Sequence, residues 1–184
     1  EIVDIGTSSV LCSIDLSEID LPHDNPSVSG RPYPSGVAAG SGKVFVTLSN
    51  LTDHYGGLQA AGPGVVAVVD AGTYEIVDII VLTGADPVYA RAYESYIIVS
   101  CPGHYDGGFV GDGTIEMINA ETLGHEAVFE LAGCAPFTFH ISDERVLHAS
   151  NAMSTGIPRI DLDAMEILEN IPFASIYISD VLVM

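Results

Sequence analysis

One unit recurs four times along this chain, and its recurrence limits the fold more than any single residue does. Residues 67–82 align without a gap on residues 1–16, with Asp70 on Asp4, Gly72-Thr73 on Gly6-Thr7 and Leu82 on Leu16. The pattern returns at 115–131 around Asn119 and at 160–173 around Asp161. Each copy reads as an apolar strand, an Asp or Asn, a short polar turn and a second apolar strand, which is the signature of a β-hairpin. The Asp or Asn is expected to open the turn and accept backbone N–H bonds that would otherwise be unpaired.

Between these hairpins lies a second unit, seen at 35–48 and again at 88–100, 137–150 and 174–184. Strands a and b therefore precede strands c and d, and the repeat of about 40 to 50 residues is that of a propeller blade. The expected fold is all-β: a β-propeller of four-stranded antiparallel blades, three of them complete, with a c-d half at the start and an a-b half at the end. Helix should be nearly absent. Residues 17–34, with Pro22, Pro26, Pro32 and Pro34, interrupt the spacing and read as a Pro-rich inserted loop, because proline cannot donate to a sheet ladder. One face of each strand should form the core, through Val44, Val46, Val66, Val68, Ile97, Val99, Ile115, Met117 and Ile160.

The 184 residues make a single propeller domain or a propeller fragment. The two half blades complement each other and could close a four-bladed ring. The chain opens at Glu1 and stops inside a strand, which favours an excised part of a larger ring. With 25 acidic against 5 basic residues the formal charge is −20, and the five cations are scattered. That excludes a nucleic-acid partner, which needs clustered basic groups to displace counterions. No apolar run is long enough to predict a membrane span.

Phe45-Val46-Thr47-Leu48-Ser49-Asn50, followed by residues 65–82 and Ala85-Asp86-Pro87, resembles the YVTN-type β-propeller repeats of secreted and surface-layer proteins. The later copies depart from that motif at Cys101-Pro102-Gly103 and Ala149-Ser150-Asn151. The resemblance implies the propeller fold and an extracellular binding role, since propellers also host lactonases, oxidoreductases and scaffolds.

Strand parity puts the b-c loops and the d-a connections on one face. Asp53-His54-Tyr55 lies in one b-c loop and His104-Tyr105-Asp106 at the matching place in the next, each followed by a Gly pair. Tyrosine offers contact area and His and Asp offer directional hydrogen bonds, so these six are the candidate ligand- or partner-binding residues. The competing structural reading is a pair of duplicated loops satisfying their own backbone. Asp53, Asp106 and Asp112 offer hard oxygen ligands for calcium, and no other cofactor is implied. His140 and His148 flank a turn, but two histidines on one hairpin are too few for a metal centre. Parity also places Cys101 and Cys134 at one face of adjacent blades, which predicts a disulfide between them with Cys12 left as a thiol.

No catalytic motif is present in the sequence, so no catalytic residue is assigned and the enzyme reading ranks second. The leading expectation is a secreted or periplasmic propeller that binds a protein or small-molecule partner through its long-loop face. The alternatives are a lactonase-like hydrolase with an incomplete active site and a structural component of a surface layer or filament. The rest of a propeller, or self-association, would close the ring.

Overall fold

In the computed structural model, which describes residues 2–4, 6–23, 29–54, 57–153 and 156–172, every regular element is a β-strand. Strands β1 (Ile2–Asp4) and β2 (Ser9–Cys12) form a two-stranded sheet. Blade one consists of β3 (Arg31–Gly40), β4 (Lys43–His54), β6 (Pro63–Asp70) and β7 (Ile76–Ala85), with the short β5 (Gly57–Ala60) paired to the end of β4. Blade two is β8 (Tyr89–Tyr93), β9 (Tyr96–Cys101), β10 (Asp112–Asn119) and β11 (His125–Ala132). Blade three is β12 (Phe139–Ile141), β13 (Val146–Ala149), β14 (Ile157–Asp161) and β15 (Glu166–Ile171). All pairings within the blades are antiparallel and, apart from β4 with β6 across the short β5, join chain neighbours, so each blade follows the a-b-c-d order read from the repeats.

The c-d turns show why the repeat carries Asp or Asn at one place. The Asp70 carboxylate accepts the N–H groups of Gly72 at 2.9 Å and Thr73 at 2.8 Å. Asn119 accepts those of Glu121 and Thr122 at 2.9 and 3.0 Å, and Asp161 those of Asp163 and Ala164, both at 2.9 Å. The bonds from Thr73 and then Gly72 hold the Asp70 carboxyl below its ordinary pKa. Each turn then closes on a left-handed residue four positions later: Tyr74, Leu123 and Met165, with φ of 64°, 63° and 56°. Ser8 does the same after Asp4, at φ 53°, so the backbone repeats itself in the β1–β2 sheet as well.

The blades bury their apolar residues against one another. Phe45, Val66 and Val68 of blade one meet Ile97, Val99, Cys101 and Ile118 of blade two. On its other face, blade two packs Ile98, Ile115, Met117 and Phe129 against Phe139, Leu147 and Ile160 of blade three. The expected core therefore forms, with a correction. Val44 and Val46 are only half-buried, and Phe45 between them fills the core instead. The inner strands are buried on both faces, Ile97 to Val99 because blade two lies between blades one and three, and Val65 to Val69 because blade two covers one face of blade one and the segment of Leu16, Ile19 and Leu21 the other.

A second correction concerns the Pro-rich segment. Residues 31–34 are not loop but the start of β3, with Pro32 opposite Asn50 and Pro34 opposite Leu48. Strand β3 is the edge of its sheet and bulges between Pro34 and Gly36, the setting in which a ladder tolerates proline. Upstream, Leu16, Ile19 and Leu21 pack onto Leu48, Val65 and Ala67 on the outer face of blade one. Residues 24–28 lie outside the described residues.

Candidate functional site

The b-c loops and d-a connections do meet at one face. Gly103 in the b-c loop of blade two donates its N–H to Ala85 at the end of blade one, and Ala152 in that of blade three donates to Ala135. Buried serines within or just after the b strands tie the same level together. Ser49 donates to the Pro87 carbonyl at 3.1 Å and Ser100 to that of Pro136 at 2.8 Å, while Ser150 accepts the N–H groups of Phe137 and Thr138. These serines were missed in the sequence, although each follows an apolar strand and the first two face a proline in the next connection.

The two loops with matching sequences are built differently. In blade one, Asp53 and His54 continue strand β4 and pair with Leu58 and Gly57 of β5. Asp53 is exposed there, and Tyr55 lies outside the described residues. In blade two the loop 102–111 is a compact turn clamped by Asp112. One Asp112 oxygen accepts the His104 N–H at 2.9 Å, and the other lies 2.6 Å from His104 Nδ1. Burial pushes the Asp112 carboxyl up, but the bonds from the His104 ring and backbone outweigh it, and its pKa falls below the ordinary value. Tyr105 stands edge-on to Phe109, and Phe109 edge-on to Phe137, with centroids 5.3 Å apart in both pairs. Asp106 donates its N–H to the Gly108 carbonyl and is itself exposed. His104 thus serves the loop's own architecture, and Tyr105 is its most exposed aromatic group.

Of the three calcium candidates, Asp112 has both oxygens engaged by His104. Among the described residues no group of three His, Cys, Asp or Glu side chains could hold a metal. His140 and His148 face each other across β12 and β13, and His148 is paired in turn with Arg159 of β14. Burial, then the charges of Arg159 and His140, push the His148 pKa down.

A cleft of about 370 Å³ opens beside the clamped loop, lined by Thr83 of blade one and by Asp112, Thr114 and Glu130 of blade two. Thr114 on its wall donates at 3.1 Å to Glu116, a fully buried carboxylate that the sequence reading passed over. Glu116 also accepts the N–H groups of Thr83 at 3.0 Å and Gly84 at 2.6 Å, and lies 3.8 Å from His125 Nδ1. The Thr83 and Gly84 donors are available because β7 is an edge strand that slips register against β6 between Pro63 and Val65. The signal was present: Glu116 occupies the core-facing set of a c strand whose neighbours are apolar.

The bridge expected between Cys101 and Cys134 is not present, and all three cysteines are thiols. Cys101 faces the core between blades one and two, and Cys134 belongs to the core between blades two and three. Parity placed them at the same end of the blades but not on the same side of the sheet. Burial, then the nearby Glu116 charge, push the Cys101 thiol well above its ordinary pKa, so it stays protonated.

No protein-family model matches the sequence, and no curated protein matches it. Solved structures do resemble it. The chain is similar to the dihydro-heme d1 dehydrogenase NirN in complex with DHE, at 17% identity and a TM-score of 0.59 over 92% of this chain and 32% of that one. It is similar to the hydrazine synthase of Kuenenia stuttgartiensis at 14% identity and a TM-score of 0.58, over 90% of this chain and 41% of that one. A computationally designed protein, Ika4, matches at 13% identity and a TM-score of 0.53, over 75% of this chain and 71% of that one. The two natural neighbours are propeller-type proteins, and at this identity the likeness shows the fold alone. The chain has the β-propeller fold. It spans less than half the length of either natural neighbour.

Proposed function

We propose that this propeller is a binding or scaffold module that docks a protein or small-molecule partner on its long-loop face. The loop 102–111 carries the reading. Asp112 and Phe137 hold it in one shape, while Tyr105 and Val110 remain 46% and 59% exposed. A loop ordered before contact loses little entropy on binding, and an exposed tyrosine offers a large amphipathic surface at low rotamer cost. The repeat class that best suits the sequence is YVTN-type. A secreted or periplasmic location suits the net charge of −20, which favours solubility outside the cell.

The test compares partner capture by the wild-type chain and by Tyr105→Ser with Val110→Asp, with lactone and ester turnover assayed in parallel. A partner held by the wild type and released by the variant at equal melting temperature supports the reading. Equal capture by both, or turnover of either substrate, overturns it.

A further inference from the structure

Blades one and two come close at Gly84, where a Cβ would meet the Thr114 hydroxyl at 2.2 Å and the Cys101 Cβ at 2.7 Å. The cleft of about 370 Å³ opens beside this contact, among the outer strands β7, β10 and β11, with Thr114 and Glu130 opposite each other on one wall. Donors on its walls are turned inward. The Thr83 N–H and the Thr114 hydroxyl go to Glu116 at 3.0 and 3.1 Å, and the Gly113 N–H goes to the Cys134 carbonyl at 3.1 Å. Thr114 has one hydroxyl hydrogen, so it shows the cleft lone pairs alone, and the Thr83 hydroxyl can turn to accept as well. Asp112 is held ionised by its bonds from His104. Glu130 is exposed and has no hydrogen-bond or ion-pair partner among the described residues.

None of the chain's five basic residues serves these acceptors. Arg31 and Arg91 lie in β3 and β8, at the opposite sheet edges from β7 and β11. Lys43 and Arg145 lie at the a-b turns, on the face away from the long loops, where Lys43 donates to the Ser41 and Ala120 carbonyls and Arg145 pairs with Glu94 and Asp163. Arg159 belongs to blade three and donates to the Glu169 carbonyl at 3.0 and 2.9 Å. A cleft of one charge sign with low-dielectric walls focuses the field and draws a counter-charge, which here has to come from another molecule.

The cleft runs into the docking loop, because Gly111 on its wall follows the exposed Val110. Its volume is at the lower end for a ligand pocket and suits a side chain better than a cofactor. We propose that the cleft takes the cationic side chain of a basic peptide segment. Glu130 and Asp112 hold the ammonium or guanidinium, and the flanking apolar residues lie on Val110 and Tyr105, a second contact that rests on the docking role given to this loop above.

The test is fluorescence anisotropy with labelled peptides of one length and one apolar composition, carrying lysine and arginine, glutamine, or glutamate at the central positions. The wild type is expected to bind the basic peptide and not the other two, and less tightly as salt rises. Glu130→Gln should weaken that binding about fivefold, as the loss of an exposed ion pair does. Glu121→Gln removes the same net charge from an exposed position in the c-d turn of blade two, on the opposite face, and should change nothing. Thr83→Lys gives the cleft a cation of its own and should abolish binding. Equal effects of the two glutamine variants, whether both weaken binding or neither does, would place the attraction in the net charge and overturn the proposal. No binding of the basic peptide, or equal binding of the neutral one, overturns it too. Tyr105→Ser with Val110→Ser separates cleft from loop: a basic peptide held by this variant as tightly as by the wild type keeps the cleft site and removes the loop's docking role. A neutral peptide released by this variant but not by Glu130→Gln does the reverse.

Discussion

The Glu116 carboxylate leaves blade two and takes the Gly84 N–H of blade one at 2.6 Å, a buried charge-assisted bond between adjacent blades. Thr83, Thr114 and the Cys101 thiol donate to the same group, so four donors depend on it. Glu116→Ala leaves the buried Gly84 N–H without an acceptor, and the part-buried Thr83 N–H with it, and is expected to cost about 2 kcal/mol in denaturant unfolding. Glu116→Gln keeps one acceptor oxygen and should cost less. A loss below about 1 kcal/mol for the alanine variant would mean that water takes over the acceptor role.

Two glycines separate crowding from backbone strain. A Cβ on Gly113 would meet the Pro136 Cδ at 2.3 Å and the carbonyl oxygens of Cys134 and Cys101 at 2.8 and 3.0 Å. Because backbone blocks it on two sides, Gly113→Ala should destabilise the chain by about 3 kcal/mol. Gly42 has open space around it but a φ of +72°. Gly42→Ala should therefore cost only about 1 kcal/mol, as the price of a left-handed alanine. Equal melting temperatures for the two variants would contradict this ordering.

The His104–Asp112 clamp is partly exposed, so solvent screening keeps it weak. A double-mutant cycle of His104→Ala and Asp112→Ala should yield a coupling of about 0.5 to 1 kcal/mol. The folded Asp112 pKa lies below its ordinary 3.8, so the clamp contributes above that pH and is lost as the pH falls through the folded value. A cycle energy that does not shrink in strong acid would rule out the ion pair as its source.

His148 behaves in the same sense for a different reason. Burial and its cationic neighbours hold its folded pKa below 6.5, so the unfolded chain takes up the proton first and stability falls progressively as the pH drops below that value. His148→Gln should flatten this part of the pH–stability curve. An unchanged slope would place the acid loss elsewhere.

Denaturation without reductant should release three titratable thiols, one from each cysteine. Before denaturation Cys101 should resist thiol reagents, being fully buried and held in its protonated form. Modification of Cys101 at the rate of an exposed thiol would show that blades one and two separate readily.

Blade order was legible because the signals are local and periodic. The Asp or Asn of each c-d turn bonds its own next residues, so its role shows within a short window of sequence. Contacts between blades are not local. Glu116 looked like one acid among 25, and only the position of Gly84, far back in the chain, shows what it does. The cysteine pairing failed for the same reason: parity along a strand gives the end of a blade, while side-chain alternation decides the face. His104 and His54 looked equivalent in their loops, but pairing with β5 keeps one in a strand and Asp112 draws the other into a turn.

The two prolines that open β3 have a further effect on how this molecule meets other chains. At Pro32 and Pro34 the edge strand of blade one has no amide hydrogen to offer. An incoming extended peptide would find its ladder interrupted twice within three residues, and the bulge before Gly36 turns the strand away again. That rim is therefore barren ground for strand recruitment and for the fibrous aggregation it seeds.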